Sequence, residues 1–377
     1  MKFLLLQTTA PDHLYGVTNR AIADALGRFG HGASILPAPT GAPLDDVVGA
    51  IHAAAPDYVF SLGSFLGGIT ADSGASIFDI LRIRFIGWQF DHPLYTQHNL
   101  TAPMGGRYSV YANAGHAAFA SRLGVGGSST ALLAGGVAHP GPVKAFEDRI
   151  IPILVVATYN GPAMRPWASL PDGSDRRLID QIADQLLADP GVSLAAACDQ
   201  ARAASGLGAE LERVLAEPLR TVLTYVRHKD RLDAITTLVE SGLPIRLVGD
   251  GWAGHFGARP NLTTSASVPF AQVHDLYTDA KVVVSLNAAN GACERAIQAM
   301  LAGAAVASDF SDSYAAMGLI DGDLRLFDRI RPETVTGVVA DLLEGDGARV
   351  AEQGYHRAMG SQLWEHRLAA LLGGLSG

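Results

Sequence analysis

The residues VVVSLNAANGACERAIQAMLAGAAVASDF, from Val282 to Phe310, contain one complete strand–helix–strand unit. A β-branched apolar run ends at Asn287, an alanine-rich helix begins at Glu294, and a second apolar run ends at Asp309. Short apolar strands that alternate with helices are typical of a parallel sheet with helices on both faces. The unit therefore predicts an α/β fold and places NAANGA, residues 287–292, in the loop between a strand and its following helix.

The same alternation continues on both sides of this unit. In the first part of the chain we predict strands at the segments KFLLLQT, ASILPA, YVFSLG, RFIGWQF, YSVYAN and SSTALLAGG. In the second part we predict strands at IPILVVATYN, RTVLTYV, PIRLVGDGW and NLTTSASV. Amphipathic helical segments separate most of these strands, and RTVLTYV is expected to lead into the helix KDRLDAITTLVESG.

A segment rich in Gly and Pro, residues 133–148, interrupts the alternation and predicts a linker. The chain has 377 residues, which exceeds the size of one ordinary hydrophobic core. We therefore predict an N-terminal domain at residues 1–140 and a C-terminal domain at residues 141–355. Residues 356–377 are expected to form a terminal helix that packs back on the first domain.

The composition argues against several classes of protein. The formal net charge is −9 and the chain has no run of Lys or Arg, so neither nucleic acid nor an anionic membrane is an expected partner. The two cysteines, Cys198 and Cys293, are far apart, which indicates a reducing compartment rather than a disulfide framework. The first residues have too short an apolar run for a signal peptide, and no stretch reaches the roughly 18–20 apolar residues of a membrane span. We expect a cytoplasmic protein with no transmembrane segment.

The loop before the alanine-rich helix is suited to bind a nucleotide. Parallel sheets bind ligands at the carboxyl ends of their strands, where the free N–H groups of a helix N-terminus attract phosphate. Asn287 and Gly291 lie in this loop, and Arg295 adds a cation with several donors for phosphate oxygens. Glu294 can accept hydrogen bonds from the two hydroxyls of a ribose, and Gln298 lies one turn later on the same face. The pattern also fits a simpler interpretation, in which Glu294 stabilises the helix N-terminus and Arg295 is solvated.

This region resembles the donor-binding region of glycosyltransferases with the GT-B fold. The similarity lies in a strand, a helix that ends near Leu-Tyr, a second strand, and a helix that reads QAMLAG from Gln298 to Gly303 before the apolar AAVASD. Upstream, YVRHKDRLDAITTLVESGLPIRLVGDGW is similar to the CgeB-type, or spore-maturation-protein-like, glycosyltransferases. CERA at residues 293–296 and WQFDHP at residues 88–93 also have counterparts in that group. The resemblance covers roughly Tyr225 to Asp328, and over the first half of the chain it is architectural.

The resemblance implies an α/β protein of GT-B type, with two Rossmann-like domains that face each other across a cleft. It implies transfer of a sugar from a nucleoside-diphosphate sugar to an acceptor hydroxyl of a glycan, a lipid or a protein. The C-terminal domain is expected to hold this nucleotide-sugar donor, and the N-terminal domain the acceptor. Many retaining members carry a second glutamate, which holds the ribose, where this chain has Gln298; either Glu294 takes over that role or the donor is held differently.

Two further segments are candidates for donor binding. In VGDGW, Gly249 and Gly251 allow a ligand to approach the backbone closely, Asp250 can accept a hydrogen bond from a sugar or a base, and Trp252 ends the segment. An ordinary turn is the alternative interpretation of this segment.

Arg227 and Lys229 follow the predicted strand RTVLTYV, where their charges can stabilise a leaving nucleoside diphosphate without a metal. They can equally be solvated charges at the start of a helix. The chain has no clear Asp-x-Asp metal motif, because DGD at residues 321–323 fits a surface turn better. We therefore expect neither a metal nor another cofactor.

The candidate catalytic residues lie in the first domain. Asp12 and His13 are in the loop after the first strand, and an imidazole with a pKa of about 6.5 is suited to take a proton from an acceptor hydroxyl. Asp12 is the alternative base, or it orients His13. Asp91, in the family-like FDHPLY, is our first choice for the base or for an acceptor contact. Each residue also fits a structural interpretation, as a helix cap for Asp12 or His13 and as a buried turn for Asp91.

Two other functions are compatible with the same fold. One is a nucleotide-sugar epimerase of the two-domain type, which needs several acid–base residues around the C2 atom of the sugar. The sequence does not single out such residues. The other is a non-catalytic protein that retains a glycosyltransferase-like shell for binding.

Overall fold

A computed structural model describes residues 1–39, 41–205, 211–287 and 293–375. The chain divides into two compact units, of which the first contains Met1–Val137 together with the chain from Leu363 onward. The second unit is Ala138–Gln362. The sequence prediction placed the corresponding boundaries at residues 140 and 355.

The first unit contains six parallel strands covered by helices. Its strands are β1 (Lys2–Gln7), β2 (Gly32–Pro37), β3 (Tyr58–Leu62), β4 (Arg84–Trp88), β5 (Arg107–Tyr111) and β6 (Ser128–Ala131). Its first five helices are α1 (Leu14–Arg28), α2 (Leu44–Ala54), α3 (Ile77–Leu81), α4 (Gln97–Leu100) and α5 (Ala114–Arg122). The strand order is β2–β1–β3–β4–β5–β6.

Strands β1 and β3 of this sheet are buried along almost their whole length. All five residues of β3 are buried, and so are the last five residues of β1. A strand with no alternation between buried and exposed residues has both faces covered, as a parallel sheet with helices on either side requires. The six strands predicted for the first part of the chain are confirmed.

The second unit has the same architecture. Its strands are β7 (Ile151–Val156), β8 (Ile245–Val248), β9 (Leu262–Ser265), β10 (Ala280–Ser285), β11 (Ala305–Asp309) and β12 (Arg325–Phe327), in the parallel order β12–β11–β10–β7–β8–β9. Its helices are α6 (Ser174–Ala188), α7 (Leu194–Ser205), α8 (Leu211–Val214), α9 (Ala216–Glu240), α10 (Trp252–Phe256), α11 (Phe270–Asp279), α12 (Glu294–Leu301), α13 (Asp312–Ala316), α14 (Glu333–Glu344) and α15 (Gly347–Ser361). Each unit is thus Rossmann-like, and the predicted α/β class is confirmed.

The winding of the second sheet reverses beside its first strand. From β7 the chain proceeds outward to β8 and β9, and it then returns to form β10 on the other side of β7. A crevice opens at the carboxyl ends of two such neighbouring strands, because their connections leave toward opposite sides. The ends of β7 and β10 are therefore the expected ligand-binding edge of this unit.

The predicted strand RTVLTYV is wrong, because these residues belong to the 25-residue helix α9. Leu219, Val222, Leu223 and Val226 are all buried, and their spacing places them on one face of a helix. The β-branched and aromatic residues suggested a strand, but burial of this helical face outweighs their modest local preference.

The last helix, α16 (Trp364–Leu375), belongs to the first unit. Leu368 and Leu371 join the core cluster that contains Leu26 of α1, and Arg28 forms a 3.0 Å ion pair with Glu365. The C-terminal helix thus covers the helical layer of the first sheet. In the described part of the chain, no helix combines the length and the hydrophobicity required to cross a bilayer.

Candidate functional site

A pocket of about 280 Å³ opens at the carboxyl ends of β7 and β8. Its wall includes Thr158 after β7, Gly249 after β8 and Ser267 after β9. Two arginines, Arg231 from α9 and Arg295 from α12, also line the pocket. Elements that are distant in sequence therefore place two guanidinium groups at one edge of the sheet.

Arg295 is fixed at the point where the winding of the sheet reverses. Its Nη1 donates to the carbonyl oxygen of Val156 at 3.0 Å, and its Nη2 donates to that of Leu286 at 3.1 Å. Val156 is the last residue of β7, and Leu286 directly follows β10. One side chain therefore joins the two strands that flank the crevice. The Nε atom contacts Cys293 Sγ at 3.2 Å. A planar guanidinium has five N–H donors in fixed directions, which allows it to hold this position and still face an anion.

Arg231 was not predicted as a site residue, although it lies on the wall of the pocket. Its Nε is buried and has no hydrogen-bond partner among the described residues. Burial, followed by the charges of Arg295 and Arg227, lowers the pKa of Arg231 to about 9. The cation is therefore held in an unfavourable environment that a bound anion would improve.

Arg227 lies four residues before Arg231 on α9, which places both side chains along one face of the helix. We refer to Arg227, Arg231 and Arg295 as the guanidinium cluster. The prediction of a strand at residues 220–226 concealed this relationship, because it placed Arg227 in a loop. A helical interpretation of the same residues gives the spacing that pairs it with Arg231.

Lys229 lies elsewhere on the same helix. Its Nζ donates to Asp233 Oδ2 at 2.6 Å, one turn later. In the structure Lys229 therefore pairs with a carboxylate of its own helix, whereas the sequence predicted a contact with phosphate. A salt bridge of this kind, between partly exposed residues four apart, is an ordinary feature of a helix surface.

The glycines of VGDGW are required by the backbone. A Cβ atom on Gly249 would lie 1.9 Å from the carbonyl oxygen of Ala157, and Gly249 has a φ of 147°. Gly251 has a φ of 87° and packs against Tyr159. The strand end can therefore approach the loop after β7 closely, which forms one wall of the pocket.

Asp250 and Trp252 contact the protein itself. Asp250 accepts hydrogen bonds from the backbone N–H of Ser267 at 3.0 Å and from its hydroxyl at 2.8 Å, and these bonds lower the pKa of the Asp250 carboxyl. Trp252 is 1% exposed, and its indole N–H donates to the carbonyl oxygen of Ala157 at 2.6 Å. Asp250 thus positions the loop after β9 and Trp252 belongs to the core, while donor binding by these residues stays a prediction.

The predicted ribose-binding residues lie in and before α12. Glu294 is the first residue of the helix and is partly exposed, and its Oε2 lies 3.4 Å from Cys293 Sγ. Gln298 is 1% exposed, on the buried face of α12, and its share in ligand binding stays a prediction. Asn287 is buried at the end of β10, and Gly291 lies outside the described residues.

The candidate catalytic residues lie in the first unit, at the carboxyl ends of β1 and β4. Asp12 and Asp91 are exposed. His13 is the N-cap of α1, because its Nδ1 accepts a hydrogen bond from the backbone N–H of Tyr15 at 3.3 Å. This bond leaves the proton of a neutral imidazole on Nε2, so His13 must release the cap before it can accept a proton.

Across the described ranges, no three His, Cys, Asp or Glu side chains are grouped so that they could hold a metal ion. Among the described residues, the charged side chains that line the pocket of the second unit are Arg231 and Arg295. The chemistry that these cations favour is the binding of a phosphate or diphosphate.

The two Rossmann-like units define a protein of the GT-B fold class, and comparisons with known proteins agree. Residues 227–373 match a family model described as glycosyl transferase-like. The matched segment begins at Arg227 and contains all three members of the guanidinium cluster together with β8–β12. No curated protein is significantly similar to the chain in sequence.

Solved structures with the same fold match almost the whole chain. A sucrose-phosphate synthase from Thermosynechococcus elongatus aligns with a TM-score of 0.56 and 12% identity, over 100% of this chain and 98% of that chain. A glycosyltransferase from Rickettsia africae ESF-5 aligns with a TM-score of 0.54 and 9% identity, over 99% and 97%. Anabaena HepE in complex with UDP-glucose aligns with a TM-score of 0.53 and 11% identity, over 99% and 100%. At these identities the similarity establishes the fold.

Proposed function

We propose that this protein is a glycosyltransferase that moves a sugar from a nucleoside-diphosphate sugar to an acceptor hydroxyl. The observation that carries the proposal is the pair Arg231 and Arg295 in a pocket at the carboxyl end of β7, the strand beside which the winding of the sheet reverses. The family match over residues 227–373 supports it, because the matched segment contains both arginines.

The guanidinium cluster is suited to the diphosphate of the donor. Arg295 is held by two carbonyl oxygens, while Arg231 lacks a partner for Nε among the described residues. Both can therefore donate to phosphate oxygens without a large rearrangement. Negative charge on the diphosphate grows as the bond to the sugar breaks, and fixed cations stabilise that charge most in a pocket with little water. In this proposal the cluster lowers the barrier to departure of the nucleoside diphosphate.

Glu294 is the proposed ribose contact. It begins α12 and is partly exposed, so its carboxylate can accept hydrogen bonds from two hydroxyls. The proposed arrangement places the diphosphate at Arg231 and Arg295, and the ribose at Glu294. UDP-glucose is the first donor to test, because HepE was solved in complex with it.

Asp91 is the proposed base. It is exposed at the carboxyl end of β4, and a carboxylate can accept the proton of an acceptor hydroxyl as that oxygen attacks the sugar. We further propose that the acceptor is a glycan, lipid or protein rather than nucleic acid. Transfer then needs no metal, because the guanidinium cluster supplies the positive charge. We also propose that the protein is cytoplasmic and that it belongs to the CgeB-type group.

Incubation with a panel of nucleotide sugars and candidate acceptors tests the function. Release of free nucleoside diphosphate that depends on an acceptor, together with a glycosylated product in mass spectrometry, is the expected result. An isomerised donor without transfer would indicate an epimerase. Tight donor binding with neither outcome would indicate a binding protein, and absence of binding to every donor would reject all three.

A further inference from the structure

Asp309 is a buried carboxylate at the carboxyl end of β11, next to the guanidinium cluster. It is 4% exposed. Both of its oxygens accept the backbone N–H of Asn287, at 3.1 Å and 3.2 Å. Asn287 follows β10 and is the last residue of the described range 211–287. The carboxylate therefore fixes the backbone at the start of the segment that leads to Glu294 and Arg295.

Neighbouring hydroxyl groups support this arrangement. The Ser308 hydroxyl lies 3.3 Å from Asp309 Oδ1 and 3.2 Å from the carbonyl oxygen of Ser285. The Tyr314 hydroxyl lies 2.7 Å from the Ser308 hydroxyl. Ser308 is fully buried and Tyr314 is 2% exposed. These contacts therefore limit the rotation of the Asp309 side chain.

One peptide group links Asp309 to the cluster, because the N–H of Asn287 donates to Asp309 while the adjoining carbonyl oxygen of Leu286 accepts Arg295 Nη2 at 3.1 Å. Burial, followed by Arg295 and Arg227, disfavours the Arg231 cation most, whereas the carboxylate of Asp309 favours it by a smaller amount. Asp309 also disfavours ionisation of Asp230, which lies beside Arg231 on α9 and pairs with Arg329 at 2.6 Å. The carboxylate therefore interacts electrostatically with α9 as well as with the end of β10.

We propose that Asp309 is a positioning residue of the donor pocket, which holds the Asn287 backbone and acts as the resident counter-charge of the guanidinium cluster. The inference rests on the proposed function, because it assigns the incoming anion to the donor diphosphate. In the free protein the carboxylate offsets part of the repulsion among the three cations. A bound diphosphate offsets the same repulsion among the cations, and Asp309 then weakly repels the diphosphate.

Two substitutions separate the two roles. Asp309→Asn removes the charge but keeps an oxygen that can accept the Asn287 N–H, whereas Asp309→Leu removes both. We expect Asp309→Asn to lower the melting temperature of the free protein and to bind UDP about threefold to tenfold more tightly than wild type, since a nearby negative charge is gone. Inorganic pyrophosphate should show the same trend without a base. Asp309→Leu should bind UDP at least about tenfold more weakly than Asp309→Asn, because the strand end is no longer held.

Isothermal titration calorimetry and thermal shift, with and without UDP, measure these effects. Asp312→Asn is the matched control, since this carboxylate is exposed three residues later and should leave UDP affinity unchanged. A purely structural role would lower the melting temperature of Asp309→Asn without tightening UDP binding, and that result would overturn the counter-charge. Equal UDP affinity of Asp309→Asn and Asp309→Leu would overturn the role of the hydrogen bonds.

A double substitution keeps the inference testable if Asp309→Asn folds poorly. Arg231→Gln removes one of the opposed cations, so Asp309→Asn/Arg231→Gln should recover the folded state and the lost melting temperature. If the double variant unfolds like the single one, the need for the carboxylate is unrelated to the cluster and the inference is overturned. Failure of wild-type protein to bind any nucleoside diphosphate would instead reject the proposed function.

Discussion

The Nη1 atom of Arg295 donates a hydrogen bond to the carbonyl oxygen of Val156 at 3.0 Å and joins α12 to the end of β7. The same guanidinium also holds Leu286 after β10. One residue thus combines a structural role with a charge at the pocket. Its substitution is therefore expected to affect both stability and ligand binding.

Arg295→Lys should weaken UDP binding at least about tenfold and should reduce the free energy of unfolding by about 1–3 kcal/mol. A lysine retains the charge, but it cannot donate to both carbonyl oxygens in the fixed geometry of a guanidinium. Calorimetry with UDP and urea unfolding measure the two effects. A lysine variant that matches wild type in both would show that charge alone is required.

Arg231→Gln should weaken UDP binding by about 1.5–3 kcal/mol, because a charged donor to the diphosphate is lost. The ligand-free variant should be at least as stable as wild type, since it lacks a buried cation opposed by Arg295 and Arg227. Arg177→Gln is the matched control, because this exposed arginine of α6 pairs with exposed Asp172. Weaker UDP binding together with a lower melting temperature would favour a structural role for Arg231.

Glu294→Ala should weaken nucleoside-diphosphate binding by about 1–3 kcal/mol through loss of hydrogen bonds to a carboxylate. The effect should depend on the ribose: wild type should prefer UDP to 2′-deoxy-UDP, and the variant should bind both alike. Calorimetry with the two ligands makes the comparison within each protein. Retained discrimination in Glu294→Ala would assign the ribose to another residue.

Asp91→Asn should reduce transfer by at least about a hundredfold and leave UDP affinity unchanged, as expected for loss of a general base. Asp45→Asn, a substitution of an exposed carboxylate of α2, should leave both unchanged. The measurements are turnover with saturating donor and acceptor, and UDP titration. Normal turnover of Asp91→Asn would exclude it as the base and direct attention to Asp12 and His13.

Stability should fall in mild acid because three histidines are buried. Burial lowers the pKa of His116 to about 3 and of His274 to about 4, and it places the pKa of His92 well below its ordinary value. In the unfolded chain each imidazole titrates near pH 6.5. Between these values the unfolded state binds more protons, so the stability is fully present above about pH 6.5 and decreases as the pH falls.

Each fully buried histidine should contribute a slope of up to about 1.4 kcal/mol per pH unit below pH 6. His116→Gln should therefore reduce the slope of unfolding free energy against pH between pH 6.5 and 5. His52→Gln, at an exposed position, serves as the control. Parallel slopes for His116→Gln and wild type would contradict this account of the acid sensitivity.

Sequence pattern was sufficient for the α/β class because fully buried parallel strands require continuous apolar runs. The segments at β1, β3 and β10 have this character, and Gly and Pro mark the transition between the units. The pattern failed at α9, where β-branched and aromatic residues occur at helical spacing. Local preference differs little between strand and helix for such residues, so packing against the rest of the unit decides.

By itself, the sequence determined the alternation of strands and helices and the placement of Glu294 and Arg295 at the start of α12. Tertiary structure alone decided that Arg231 joins Arg295 at one pocket, since the residues lie on separate helices, α9 and α12. It also placed Asp309 against Asn287 at the end of β10, because β11 pairs with β10 in the sheet. Buried charges interact through space, and their energies depend on distances that the order of residues along the chain does not specify.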